Sequence, residues 1–170
     1  MKSSVLLTIA GLASPAFAQT QVFRFEAQPS GESFGQTVCI STDLDRDGVP
    51  ELAIADPRED TTQVDAGVVR FYDGKFGLEI LELSGFRAGD LFGTAVAAID
   101  DVNGDGQADI AVGAPSSGAG LCVPGYVRVF DGVTGALLRH INGITGCDGF
   151  GAAVANVGDL DGDGIGEIAV

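Results

Sequence analysis

The sequence predicts an all-β protein, a β-propeller of four-stranded antiparallel blades, and three observations carry that prediction. Phe34-Gly35, Phe92-Gly93 and Phe150-Gly151 recur every 58 residues without a break. Each full period holds four short segments rich in β-formers, and turn residues separate them all. A sandwich of two sheets needs no such repeat, whereas a propeller is made by radial repetition of one small twisted sheet.

Other landmarks keep the same spacing. Asp43, Asp101 and Asp159 align, as do Gly67-Val68-Val69-Arg70-Phe71 with Gly125-Tyr126-Val127-Arg128-Val129, and Asp73-Gly74 with Asp131-Gly132. In the first copy the strands are expected over residues 36–42, 51–55, 68–72 and 78–84. Segments 73–77 and 131–135 read as hairpin connections, in which Asp and Gly tolerate positive φ, so the third and fourth strands should pair antiparallel. Gly supplies 26 of 170 residues and Trp is absent. The long periodic runs of helices are missing too, as short strands and tight turns require.

The period divides the chain into a blade at 34–91, a blade at 92–149 and part of a blade at 150–170. Residues 22–26 fall one period before the fourth strand of the first copy, so an orphan outer strand precedes the first blade. In a closed ring such a strand completes the last blade and removes exposed edges. Closed propellers use about 4 to 8 blades. Residues 19–170 are therefore expected to be an incomplete propeller, a piece of a longer protein.

Residues 1–18 carry a charge at Lys2, an apolar run from Val5 to Ala13 and a small-residue site at Ala16-Phe17-Ala18, the three parts of a secretory signal. The apolar run is too short to span a bilayer. Secretion, or residence in a periplasm or at a cell surface, is expected, with a mature chain from Gln19 and no membrane insertion after signal removal. A net charge of −15 repels nucleic acid and anionic lipid, so cations are the partners to seek.

Between the first and second strands of every copy lies an acidic loop. The three loops offer Asp43, Asp45, Asp47 and Glu51; Asp101, Asn103, Asp105 and Asp109; and Asp159, Asp161, Asp163 and Glu167. Oxygen side chains thus recur at loop positions 1, 3, 5 and 9, with Gly always at position 6. Alternate residues of a tight turn can converge oxygens on one point, and calcium wants about 6 to 8 of them. Position 7, which is Val49, Gln107 or Ile165, is expected to give its backbone carbonyl. Carboxylates this close repel one another without an ion between them. An EF-hand needs a bidentate Glu at position 12, where this chain has Ile54, Val112 and Val170, so the loops read as strand-to-strand sites. Magnesium, which keeps several waters in rigid octahedral geometry, suits them poorly.

The Phe-Gly pairs, the acidic loops and Val112-Gly113-Ala114-Pro115 resemble the FG-GAP repeat of the integrin α-subunit N-terminal propeller. The resemblance runs from about Val22 to Val170. It implies a seven-bladed ring with calcium in loops on its lower face, and it maps the ligands to the loop residues at positions 1, 3, 5, 7 and 9 named above. Two departures stand out. Ala55-Asp56-Pro57 replaces Gly-Ala-Pro in the first copy, and Glu replaces Asp at position 9 in the first and third. The bacterial-looking signal points away from a true integrin.

Cys39 aligns with Ala97 and Ala155 and reads as a buried free thiol. Cys122 and Cys147 have no cysteine counterparts in the other complete copy, and export favours a disulfide between them. His140 is expected to be solvated on an outer strand. Phe34, Phe92 and Phe150 should anchor the packing between blades, and Arg70 and Arg128 should form structural ion pairs. No nucleophile-base pair or catalytic metal cluster is visible, and no catalytic residue is assigned. The leading function is a calcium-stabilised module that binds protein or glycan outside the cytoplasm, as in adhesion. The alternatives are the non-catalytic propeller of a larger secreted enzyme, of polysaccharide lyase or phospholipase type, and a structural spacer of a surface protein.

Overall fold

The computed structural model describes residues 4–9, 21–28, 33–116 and 122–170, and every regular element among them is a β-strand. The expected cleavage site at Ala16-Phe17-Ala18 lies outside the described residues. Strands β1 (Ser4–Ile9) and β2 (Gln21–Glu26) pair antiparallel. The first blade runs β3 (Thr37–Ile40), β4 (Leu52–Asp56), β5 (Val68–Tyr72) and β6 (Glu79–Ser84), paired in that order. The second repeats it as β7 (Ala95–Ile99), β8 (Asp109–Ala114), β9 (Tyr126–Phe130) and β10 (Leu137–Asn142). A third sheet holds β11 (Ala155–Gly158) and β12 (Glu167–Ala169). All pairings are antiparallel, and β7 lies beside both β3 and β11. The chain is thus a run of propeller blades whose innermost strands adjoin.

Stacking of blades explains the burial pattern. Strands β4, β5 and β8 are buried at every position, whereas β10 is exposed at all but one. A strand in the middle of a sheet flanked by sheets on both faces reads as a continuous apolar run, and only the outer strand meets water.

The same residues build each interface, one period apart. Leu44, Ala53, Val69 and Phe71 of the first blade meet Phe92, Val96 and Ile110 of the second in one core cluster. Val102, Ala111, Val127 and Val129 of the second blade meet Phe150, Val154 and Ile168 in another. Strand β2 fits this scheme. Phe25 packs with Phe34, Leu52, Ile54 and Tyr72, and each of these five lies one period before a residue of the first interface cluster: Leu83, Phe92, Ile110, Val112 and Phe130. Strand β2 therefore sits on the first blade as β6 sits on the second.

The Phe-Gly pair has a physical reading at this interface. Phe92 is fully buried. Gly93 turns the chain at φ +91°, where a Cβ would lie 2.9 Å from Val69 Cγ2 and 3.0 Å from Ala55 Cβ. A side chain there would meet both the left-handed backbone penalty and the neighbouring blade.

Cys122 and Cys147 form a disulfide, as expected, while Cys39 is a free, half-buried thiol that burial pushes up to about 11. Arg70 forms the expected ion pair: its Nε lies 2.9 Å from Glu82 Oε2, with Glu59 Oε2 at 3.9 Å from Nη1. Arg128 does not. Where Glu82 faces Arg70 across the strands, His140 faces Arg128. Arg128 donates to His140 Nδ1 and stacks over Phe86, its guanidinium carbon 4.2 Å from the ring centroid, with no ion pair among the described residues. His140 is exposed, and its ring stacks on Tyr126.

Candidate metal centre

All three acidic loops fold by one hydrogen-bond scheme. The N–H of position 5 is shared between the side-chain oxygens of positions 1 and 3. Asp47 N lies 2.9 Å from Asp43 Oδ1 and 3.1 Å from Asp45 Oδ1; Asp105 N lies 3.3 Å from Asp101 Oδ1 and 2.9 Å from Asn103 Oδ1; Asp163 N lies 3.1 Å from both Asp159 Oδ1 and Asp161 Oδ1. One shared donor thus brings the first two oxygens together. The second oxygen of position 1 accepts from the glycine at position 6, which adopts φ of +90°, +86° and +91° in turn. Position 5 accepts from the N–H of Val49, Gln107 or Ile165. These donors pre-shape the loop. Hydrogen bonds from Gly106 first, and then from Gly104, Asn103 and Asp105, hold the Asp101 carboxyl below its usual range.

Position 9 closes each loop from the second strand. Its carboxylate accepts from the N–H of position 2: Leu44 to Glu51 Oε2, Val102 to Asp109 Oδ2, Leu160 to Glu167 Oε2. Glu and Asp make the same contact, so the longer side chain alters the far oxygen rather than this one. Asp109 Oδ1 accepts from Gly132 N at 3.0 Å, whereas Glu51 Oε1 is buried without a partner.

Convergence differs between loops. Asp159, Asp161, Asp163 and Glu167 each offer an oxygen within 4.8 Å of the others. In the first loop Asp43, Asp45 and Glu51 form one such group and Asp45, Asp47 and Asp73 a second. No comparable acidic trio forms in the second loop among the described residues, where position 3 is an amide. The orphaned Glu51 oxygen and the four-carboxylate group both suit a hard divalent cation, which wants oxygen ligands.

Two signals escaped the sequence reading. Position 2 is apolar in every loop, and Leu44 is buried in the core between the first two blades, so the loop is pinned to the blade interface. The hairpin aspartates Asp73 and Asp131, read only as turn residues, lie against the loops.

Burial pushes the Glu51 carboxyl up to about 7, with the Asp45 and Asp43 charges adding to it and the Leu44 N–H opposing it. Without a cation, the folded protein holds a proton here that the unfolded chain gives up near 4.5. The stability this group lends is full below that value and is lost as pH rises toward 7. Melting midpoints in chelator should therefore decline from about pH 5 to about pH 7, and Glu51→Gln should flatten the decline. An unchanged slope in the variant would assign the titration to another group.

Stacked four-stranded blades, each with an acidic loop between its first two strands, define a β-propeller repeat protein. Residues 92–130 match the FG-GAP repeat family. The chain is 35% identical over 152 residues to "Integrin alpha-6" of Gallus gallus, covering 86% of this chain and 14% of that protein. Against "Integrin alpha-E" of Mus musculus it is 32% identical over 166 residues, 88% of this chain and 14% of the relative. "Integrin alpha-PS5" of Drosophila melanogaster is 30% identical over 161 residues, 86% of this chain and 15% of the relative. The chain is an integrin-α-like FG-GAP repeat protein, and it spans about a seventh of the length of these relatives.

Proposed function

We propose that this chain is an exported calcium-binding propeller module whose loops hold one Ca²⁺ each and that serves protein or glycan binding, as in adhesion. The single observation that carries the cation reading is the shared loop geometry, in which one backbone N–H draws the oxygens of positions 1 and 3 together in all three copies. The ion would lie among Asp43, Asp45, Asp47 and Glu51, among Asp101, Asn103, Asp105 and Asp109, and among Asp159, Asp161, Asp163 and Glu167, with carbonyls of Val49, Gln107 and Ile165 completing the shells. It supplies positive charge that offsets the crowding of carboxylates. Leu44 and Val102, packed between blades, link the first and second loops to the stacking of the blades.

Export is supported by the pattern of residues 1–18 and by the Cys122–Cys147 disulfide, which fits an oxidising compartment. No helix among the described residues is long and apolar enough to cross a membrane. Binding of protein or glycan rests on the kinship with integrin α chains.

Calorimetric titration of the chelator-treated chain with CaCl₂ tests the cation reading. Saturable binding at three sites with Kd on the order of 10⁻⁴ M is expected, and MgCl₂ should compete weakly. Absence of saturable heat at up to about 10 mM calcium, a hundredfold that Kd, would remove it. Arrays of proteins and glycans probed with calcium and with chelator test the second part, which predicts signal in calcium alone.

A further inference from the structure

We infer that Asp131, in the hairpin between the third and fourth strands of the second blade, is a positioning residue that aims the Asn103 amide oxygen into the second acidic loop. This rests on the calcium reading. An amide at position 3 has two unlike ends, and only its oxygen can serve a cation. The Asp105 N–H, which only the oxygen can accept, and Asp131, which only the amino group can serve, decide between them together. Asp131 Oδ1 is occupied by the N–H groups of Val133 at 2.9 Å and Thr134 at 2.7 Å, and its Oδ2 accepts from Asn103 Nδ2 at 2.8 Å. A carboxylate can accept only from the amino end, so the amide oxygen is turned toward the loop, where it shares the Asp105 N–H with Asp101.

The hairpin holds the other end of the loop as well, because Gly132 donates to Asp109 at position 9. That approach needs glycine: a Cβ on Gly132 would lie 2.0 Å from the Ala108 carbonyl oxygen, and one on Gly74 2.2 Å from that of Pro50. Positive φ, expected for these Asp-Gly pairs, falls instead on Gly77 and Gly135 at the end of each hairpin. The Asp-Gly pair is therefore the point where hairpin and loop touch.

The first blade provides the contrast. Position 3 is Asp45, which has no wrong end and no N–H to donate, and Asp73 stands beside Asp45 and Asp47. The balancing charge comes from Lys75, whose Nζ lies 3.2 Å from Asp47 Oδ2. The matching residue of the second blade is Val133.

The Asp131→Asn variant tests this. The replacement keeps an oxygen for Val133 and Thr134 and so presents its amino group to Asn103, which should turn its own amino group into the loop. Calcium titration of the full chain, followed by NMR at Gly104 and Gly106, should show affinity in the second loop reduced about tenfold. Gly48 and Gly164 should report unchanged first and third loops. Adding Asn103→Asp should restore the second loop, because a carboxylate accepts from the new amide and still offers an oxygen inward. Without metal, the shifted side-chain amide protons of Asn103 should lose their shift in Asp131→Asn.

Equal second-loop affinity in parent and variant overturns the inference, and so does equal loss at all three loops or failure of Asn103→Asp to rescue. Should the parent show no calcium response at all, the calcium reading fails while the metal-free amide signal still decides the orientation.

Discussion

Removing divalent cations is expected to lower the melting midpoint of the full chain by roughly 10 °C. A loop with a Kd of about 10⁻⁴ M gains on the order of 1.4 kcal/mol at about 1 mM calcium, or about 4 kcal/mol over three loops. In a chain of this size, 1 kcal/mol moves the midpoint by about 2–4 °C. The effect should reach the whole fold because Leu44 and Val102 tie the loops into the interfaces between blades. Circular dichroism melts in CaCl₂ and in chelator measure it. Coincident curves would mean that the loops fold around hydrogen bonds alone and that the carboxylate clusters need no ion.

Phe92→Ala should cost about 3–5 kcal/mol, the range for truncating a buried aromatic core residue. Phe92 has no exposed surface and meets Phe130 edge-on with centroids 6.0 Å apart. It belongs to a cluster drawn from both blades, so the cavity would open at their junction. Phe150→Ala, at a half-buried position, should cost clearly less. Urea unfolding gives both values. A loss below about 1 kcal/mol for Phe92→Ala would show that the blades do not depend on this anchor.

Much of the architecture could be read from spacing. Strands 68–72 and 126–130, the antiparallel hairpins and the anchoring phenylalanines follow from a period that leaves each residue type one place to go. The placing of the loops was legible for the same reason, since each recurs between the first two strands of its copy with glycine at the sixth position. Arg128 marks a limit of that reasoning. Aligned with Arg70, it shares its strand position, yet the partner across the strand changed from Glu82 to His140, and alignment within a repeat says nothing of cross-strand chemistry until register is known.

By itself the sequence determined the repeat, the order of strands in each blade and the identity of the oxygen-bearing positions, because these depend on local pattern. Only the tertiary structure decided which oxygens converge, that Glu51 is left with an unpartnered oxygen, and that Asp131 reaches Asn103 across 28 residues. Those facts depend on how one hairpin lies against a neighbouring loop, a distance set by packing of the blade that no spacing along the chain encodes.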